Sequence, residues 1–237
     1  MRNLAVLLFI VVLLSGCVTA TVNTQNNKSL TNTDLSSLAK VVLIPIKVEV
    51  KESGIGSLEK LPERSDKATK IVMDELRSAF AANGNIELID YVPSDDSTQT
   101  LLDEHIGLYQ RVAGSAENIQ YMGPAWKSRS EYDYTVGEGL SFVSEATDAD
   151  IALFVYGEDI VSSGGKKALA VLAMIGGIGV NPGGIAVLHV GLVDIKTGHL
   201  LWSNSSASQG LSLDNNNSVK KALVDILQSS PISKNKG

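Results

Sequence analysis

The residue types that carry catalysis occur in this chain, but not at catalytic spacings. Its three histidines, His105, His189 and His199, stand far apart, and none shares a helix turn or strand pair with another ligand in a metal-site pattern. His189 alternates within the apolar run Val187-Leu188-His189-Val190 and reads as a core or sheet-face residue. Glu158-Asp159 is an adjacent carboxylate pair, but neighbours on an extended chain point to opposite faces, so the pair reads as a solvated strand end. Gly165-Lys166 begins like a phosphate loop. The pattern then requires Gly at position 160 and Ser or Thr at 167, where Ile160 and Lys167 stand. Gly176-Gly177-Ile178-Gly179 lacks the spaced third glycine of a dinucleotide site. There is no G-x-S-x-G elbow. The expectation is therefore no enzyme, no catalytic residue, no metal and no cofactor.

One residue does have a chemical context. Cys17, the only cysteine, follows Leu14-Ser15-Gly16 at the end of an uncharged stretch from Leu4 to Leu14, behind Arg2. A basic head, an apolar run of about 7–15 residues and small residues before a cut make a secretory signal. The run is too short to span a bilayer, which takes about 20 apolar residues. Ending in Cys, the motif resembles the lipobox of bacterial lipoproteins. That resemblance implies cleavage before Cys17 and acylation, palmitate included, of its thiol. Residues 1–16 are then the signal peptide, and the membrane is a partner through the lipid on Cys17. Stable anchoring takes more than one acyl chain, which such lipoproteins carry. Val18, where retention in the inner membrane usually resembles an Asp, implies the outer membrane, facing the periplasm.

Charge agrees with an acyl anchor. The chain carries 20 Lys and Arg against 26 Asp and Glu, a formal charge of −6. An acidic chain without a basic stripe excludes nucleic acid and a polybasic lipid-headgroup site. With one cysteine, no internal disulfide or paired-thiolate zinc site can form.

The elements that would position a site follow from pattern. Residues 17–37 are rich in Thr, Asn, Ser and Gln and read as the lipidated cysteine and a flexible tether. At about 5–6 Å × √n, the 19 residues from Thr19 to Ser37 average about 25 Å of reach. Residues 38–230 read as one α/β domain, with 231–237 a frayed tail. Val41 to Val50 is strand, interrupted at Pro45. Lys51 to Glu63 is loop, and a helix capped at Ser65 or Asp66 runs to about Ala82. Ile86 to Val92 is strand. Asp95 to Ile106 reads as one or two helical turns, and Ala113 to Ser130 as irregular. Val136 to Thr147 is helix and Ala149 to Gly157 a strand buried on both faces. Ile185 to Ile195 and His199 to Ala207 form a hairpin, and Ser218 to Gln228 an amphipathic helix. This order predicts an α/β fold: a single mixed sheet with helices packed on it.

Three places carry a wider resemblance. They are the lipobox, the step Asp148-Ala149-Asp150-Ile151-Ala152-Leu153-Phe154-Val155, and the hairpin Leu192-Val193-Asp194-Ile195-Lys196-Thr197-Gly198-His199-Leu200-Leu201-Trp202 with its D-x-x-T-G-x-x-x-W pattern. Together they resemble the envelope proteins related to the TolB amino-terminal domain, including the curli-secretion lipoprotein CsgG and the penicillin-binding-protein activator LpoB. The likeness spans Val41 to Gln228 in order of elements, but only the hairpin in residues. It implies a TolB N-terminal-domain-like sandwich and a non-catalytic periplasmic adaptor or activator that binds another envelope protein. A homo-oligomer is a further implied partner.

Ala168 to Val180 stands apart. Thirteen uncharged residues, apolar all round, lie between Lys166-Lys167 and Asn181-Pro182. As a helix they would measure about 20 Å, short of the roughly 30 Å hydrocarbon core. Two readings stay open. The segment is buried against the sheet, or it meets a protomer, a partner or the acyl layer. In the second reading Leu169, Leu172, Met174, Ile175 and Ile178 are the candidate interface, and the protein is a self-assembling secretion or transport component.

Overall fold

The structure, a computed structural model, describes residues 21–26, 40–54, 57–83, 86–121, 133–164 and 184–233. Among the described residues, eight strands form one mixed sheet: β1 (Thr21–Asn26), β2 (Lys40–Leu43), β3 (Lys47–Ser53), β4 (Leu58–Lys60), β5 (Glu87–Asp90), β6 (Ile151–Ser162), β7 (Ile185–Asp194) and β8 (Leu200–Ser208). The helices are α1 (Pro62–Asn83), α2 (Asp96–Tyr121), α3 (Ser141–Thr147) and α4 (Asn216–Leu227). The spatial order is β1-β8-β7-β6-β2-β5, and β3 and β4 extend the sheet beside the far half of β6. Strand β2 runs parallel to β5 and β6, β3 runs parallel to β6 and antiparallel to β4, and β6, β7, β8 and β1 are joined antiparallel. The mixed α/β sheet with helices packed on it is the fold that the order of elements predicts.

Two cores sandwich the sheet. On one face, α1 buries Ala68, Ile71, Val72, Leu76 and Phe80, and α4 buries Val219, Ala222, Leu223 and Ile226. Both sets follow helical spacing and meet Val41, Leu153, Leu188, Val190 and Leu192 of the sheet. On the other face, α2 presents Leu102, Ile106, Tyr109 and Ala113 to Val42, Phe154 and Val193. Tyr109 stacks on Phe154 at 4.8 Å between centroids.

Several sequence expectations change. Thr21–Asn26, read as tether, is an edge strand in register with Trp202–Ala207; backbone pairing to β8 gives this polar segment the partners that apolar burial does not. The expected loop 51–63 holds the end of β3 and all of β4. The first helix starts at Pro62, whose missing N–H costs nothing at a first helical position. Ser65 is not its cap, for its hydroxyl accepts from Val50 N (2.9 Å) and donates to the Leu61 carbonyl (2.9 Å). Helix α2 runs through the stretch read as irregular as far as Tyr121. Asp95 caps it, its carboxylate accepting from the Thr98 backbone N–H (2.8 Å) and hydroxyl (2.9 Å). Only Ser141–Thr147 of the expected helix 136–147 is helical, because Gly137 and Gly139 take positive φ. Pro231–Ser233, assigned to the tail, is a 3-10 turn that buries Ile232.

Pro45 has a defined role. Leu43 pairs with Leu153 and Lys47 with Tyr156, so four steps on one strand oppose three on β6. The extra residue is a bulge between β2 and β3, where a missing N–H is tolerated.

Candidate functional site

The expected lipidation residue Cys17 and the expected interface residues Leu169, Leu172, Met174, Ile175 and Ile178 all lie outside the described residues. The strands that lead to them are described, and the register fixes where those strands point. Thr21, the first residue of β1, pairs with Ala207, which pairs with Val187, which pairs with Glu158. Two residues further on, Ile160 pairs with Ile185. Beyond that, Ser162 pairs with Ser53, and Ser53 with Leu58. The start of β1, the end of β6 and the start of β7 therefore share one end of the sheet. The chain leaves for residues 165–183 and returns from them at that end.

This end is open in character. Leu58 and Ile185 are exposed by 55% and 47%, high for residues of their size. Beside them Lys51 Nζ lies 2.6 Å from Glu158 and 3.0 Å from Glu49, and Lys60 lies 3.0 Å from Glu49. The hydrogen bond and charge of Lys51 hold the Glu49 carboxyl below the usual carboxylate range, and Glu158 raises Lys51 in turn. Charges here are paired with one another rather than arrayed to hold an ion.

One carboxylate expected at a solvated strand end is not solvated. Asp159 is buried (3% exposed) in the run of β6, which continues five residues beyond the expected strand end at Gly157. Its Oδ2 accepts from Leu213 N (2.9 Å) and faces the Ser212 hydroxyl at 3.4 Å. Ser212 donates to Asp214 (2.7 Å), which also accepts from Arg64 Nε (2.8 Å). Burial pushes the Asp159 carboxyl up, against the pull of the Leu213 N–H. Burial also acts to raise Asp214, but Arg64 and Ser212 outweigh it and hold that carboxyl low. The cluster ties the loop 209–214 to the sheet.

The histidines stay apart. His189 is buried and stacks on Tyr156 at 4.2 Å, and burial lowers its pKa to about 3. His105 Nδ1 lies 2.7 Å from the Leu101 carbonyl on α2, and His199 flanks the hairpin turn. Among the described residues no group of three or more His, Cys, Asp or Glu could hold a metal, and no helix is long and apolar enough to cross a membrane. A groove between β3 and α1 carries Lys47, Glu49, Lys60, Asp66, Lys70 and Arg77, of mixed sign.

The opposite end is closed by the hairpin that carries the family resemblance. Asp194 Oδ1 accepts from the Thr197 N–H (2.7 Å) and hydroxyl (2.9 Å), and the Gly198 N–H returns to the Asp194 carbonyl (2.8 Å). Gly198 has φ +68, and a Cβ on it would strike the Gly137 backbone. Val136 N and Thr135 Oγ1 both donate to the Gly198 carbonyl. The D-x-x-T-G spacing is thus the chemistry of a capped turn.

No protein-family model matches the chain, and no curated protein does. Among solved structures the chain is similar to the PelC dodecamer from Paraburkholderia phytofirmans, at 14% identity, over 91% of this chain and 98% of that one, with a TM-score of 0.42. A single-substitution variant of the same dodecamer gives 13% identity, 91% and 99% coverage and a TM-score of 0.38. At such scores the overlap supports no argument about this chain, whose architecture stands on its own strand register.

Proposed function

We propose that this chain is a lipid-anchored, non-catalytic component of the bacterial envelope, an adaptor or activator that binds another envelope protein at the periplasmic face of the outer membrane. The carrying observation is the basic head, apolar run and Leu14-Ser15-Gly16-Cys17 motif. The likeness of the Asp194–Trp202 hairpin to TolB-related envelope proteins supports the same reading. So does a site chemistry built from turns, caps and paired surface charges. Metabolic labelling with palmitate tests the anchor: the wild-type chain takes up label and sediments with membranes, and Cys17→Ser does neither. Unlabelled wild-type protein, or a mature amino terminus well past position 17, would end this reading. Co-purification from detergent-solubilised membranes then tests for a stoichiometric envelope partner.

A second reading is self-assembly into a secretion or transport component. The exposed Ile185, at the point where the chain returns from its uncharged segment, favours it. Light scattering on the chain lacking residues 1–17 decides between them. A monomer unaltered by Ile175→Asp counts against assembly through residues 168–180.

A further inference from the structure

We propose that the sheet stands on the membrane by one end, so that Leu58 and Ile185 lie against the bilayer holding the acyl chains of Cys17. The inference rests on the lipid-anchor reading and adds a geometry to it. Its first ground is chain length. Only Val18, Thr19 and Ala20 separate Cys17 from β1, and four residue steps span at most about 13–14 Å. The averaged reach of a free 19-residue tether is roughly twice that. Because β1 is hydrogen-bonded along its length to β8, the anchor is tied to the sheet itself.

The second ground is register. Thr21 stands in the row of Glu158, and Leu58 in the row of Ser162, four residues further towards the same end. Four residue steps, the number from Thr21 back to Cys17, equal that rise when fully extended. Across the sheet Thr21 is two strand spacings from β7, about 10 Å, and five from β4, about 24 Å, both at the same end. Cys17 itself is therefore short-leashed to the end that carries Leu58 and Ile185, and its attachment point cannot reach the hairpin end, where β1 finishes opposite Trp202.

The third ground is surface chemistry. Val92, Leu101, Leu108 and Val224 are also exposed, but belong to the end of β5, α2 and α4. Leu58 and Ile185 share the anchored end, and the neighbouring lysines are neutralised by Glu49 and Glu158. That surface suits apolar insertion beside an acyl anchor, without headgroup electrostatics.

Acylation uses the native thiol, so added cysteines can be labelled alone. Lipidated full-length Leu58→Cys, Ile185→Cys and, at the opposite turn, Lys196→Cys would each carry an NBD fluorophore and be placed in phosphatidylcholine vesicles with or without 5-doxyl lipid. Blue-shifted emission quenched several-fold more at 58 and 185 than at 196 is the expected result. Equal quenching at all three, or more at 196, overturns the orientation. A blue shift at 58 and 185 without doxyl quenching also overturns it, because another copy or partner then covers that end. Intact mass of the same samples reads the lipid separately. Acylated, vesicle-bound protein with water-exposed labels sinks the orientation and keeps the anchor, whereas a non-acylated mature chain sinks the anchor. A variant with both Val22→Pro and Asn23→Pro, which removes an N–H donated to β8 whichever of the two supplies it, is expected to lose the difference between the positions while staying acylated.

Discussion

The two ends of the sheet are built on opposite principles. At the hairpin end the turn is tied by its own groups: Asp194 caps Thr197, Gly198 closes on Asp194, and Thr135 and Val136 clamp the Gly198 carbonyl. At the other end β6 and β7 run out with Leu58 and Ile185 exposed, and the tie is a buried carboxylate, Asp159, holding the loop 209–214. The lesson is one of division of labour. Backbone strain and local hydrogen bonds are concentrated where the sheet is sealed, and apolar surface is left where the chain leaves for its anchor and its uncharged segment. Loops positioned by a rigid scaffold are where function collects.

The largest break in this contrast comes at Gly198. Valine there must adopt a left-handed φ and push aside the Gly137 backbone. Gly198→Val is expected to lower unfolding free energy by about 3 kcal/mol or more, read from urea midpoints. A loss under about 0.5 kcal/mol would mean the clamp on this turn is not structural.

His189 lies between the two ends and reports on both. The unfolded chain takes a proton near pH 6.5 that the folded chain refuses until about pH 3. Stability therefore falls as pH drops through that window, by on the order of 2 kcal/mol between pH 7 and pH 5 from this group alone. His189→Phe is expected to flatten the fall in urea midpoint across the same interval. An unchanged slope would assign the acid sensitivity to other groups, such as the depressed carboxyls Glu49 and Asp214, whose contributions are present at neutral pH and vanish on acidification.

Asp159 probes the tie at the open end. Alanine leaves the buried Leu213 N–H without its acceptor and is expected to cost about 1–2 kcal/mol. Asparagine keeps an oxygen for that N–H and sheds a charge that burial disfavours, so Asp159→Asn is expected to stay near wild type at pH 7. The raised carboxyl favours the protonated fold, a contribution present in acid and lost as pH rises through its folded value. The asparagine variant is therefore expected to lose that alkaline-going decline. If alanine and asparagine behave alike, the hydrogen bond to Leu213 is not what holds the loop.

How much of this was legible in the sequence follows from where the stabilising partners sit. The hairpin could be read because its groups lie within five residues of one another, and D-x-x-T-G encodes the bonds that Asp194 and Thr197 make. Helices α1 and α4 could be read from apolar spacing. Helix α2 could not be read past Ile106: Gly107 and Gly114 weaken its pattern, and the faces that make it helical, Tyr109 and Ala113, meet β6 residues more than 40 positions away. The burial of Asp159 is illegible for the same reason. An adjacent pair of carboxylates carries no mark that one of them will meet a backbone N–H 54 residues on. β1 escaped because its composition is that of a linker, and only an edge offered by β8 makes a strand of it.

The smallest expected effect sharpens the comparison most. Leu58 and Ile185 spend about half their surface in water, so trading them for serine removes little buried area. The double variant Leu58→Ser with Ile185→Ser is expected to shift the urea midpoint by an amount worth less than about 0.5 kcal/mol. Large apolar side chains at such low structural cost are free to serve at a surface, and the measurement that tests this is made on vesicles. With Cys17 acylated in both, the variant is expected to protect residues near Ser53 and Ser162 from limited proteolysis less well than wild type does. A stability loss as large as that of Gly198→Val would instead place the two side chains in the core, and the open end would then be sealed by the same means as the hairpin.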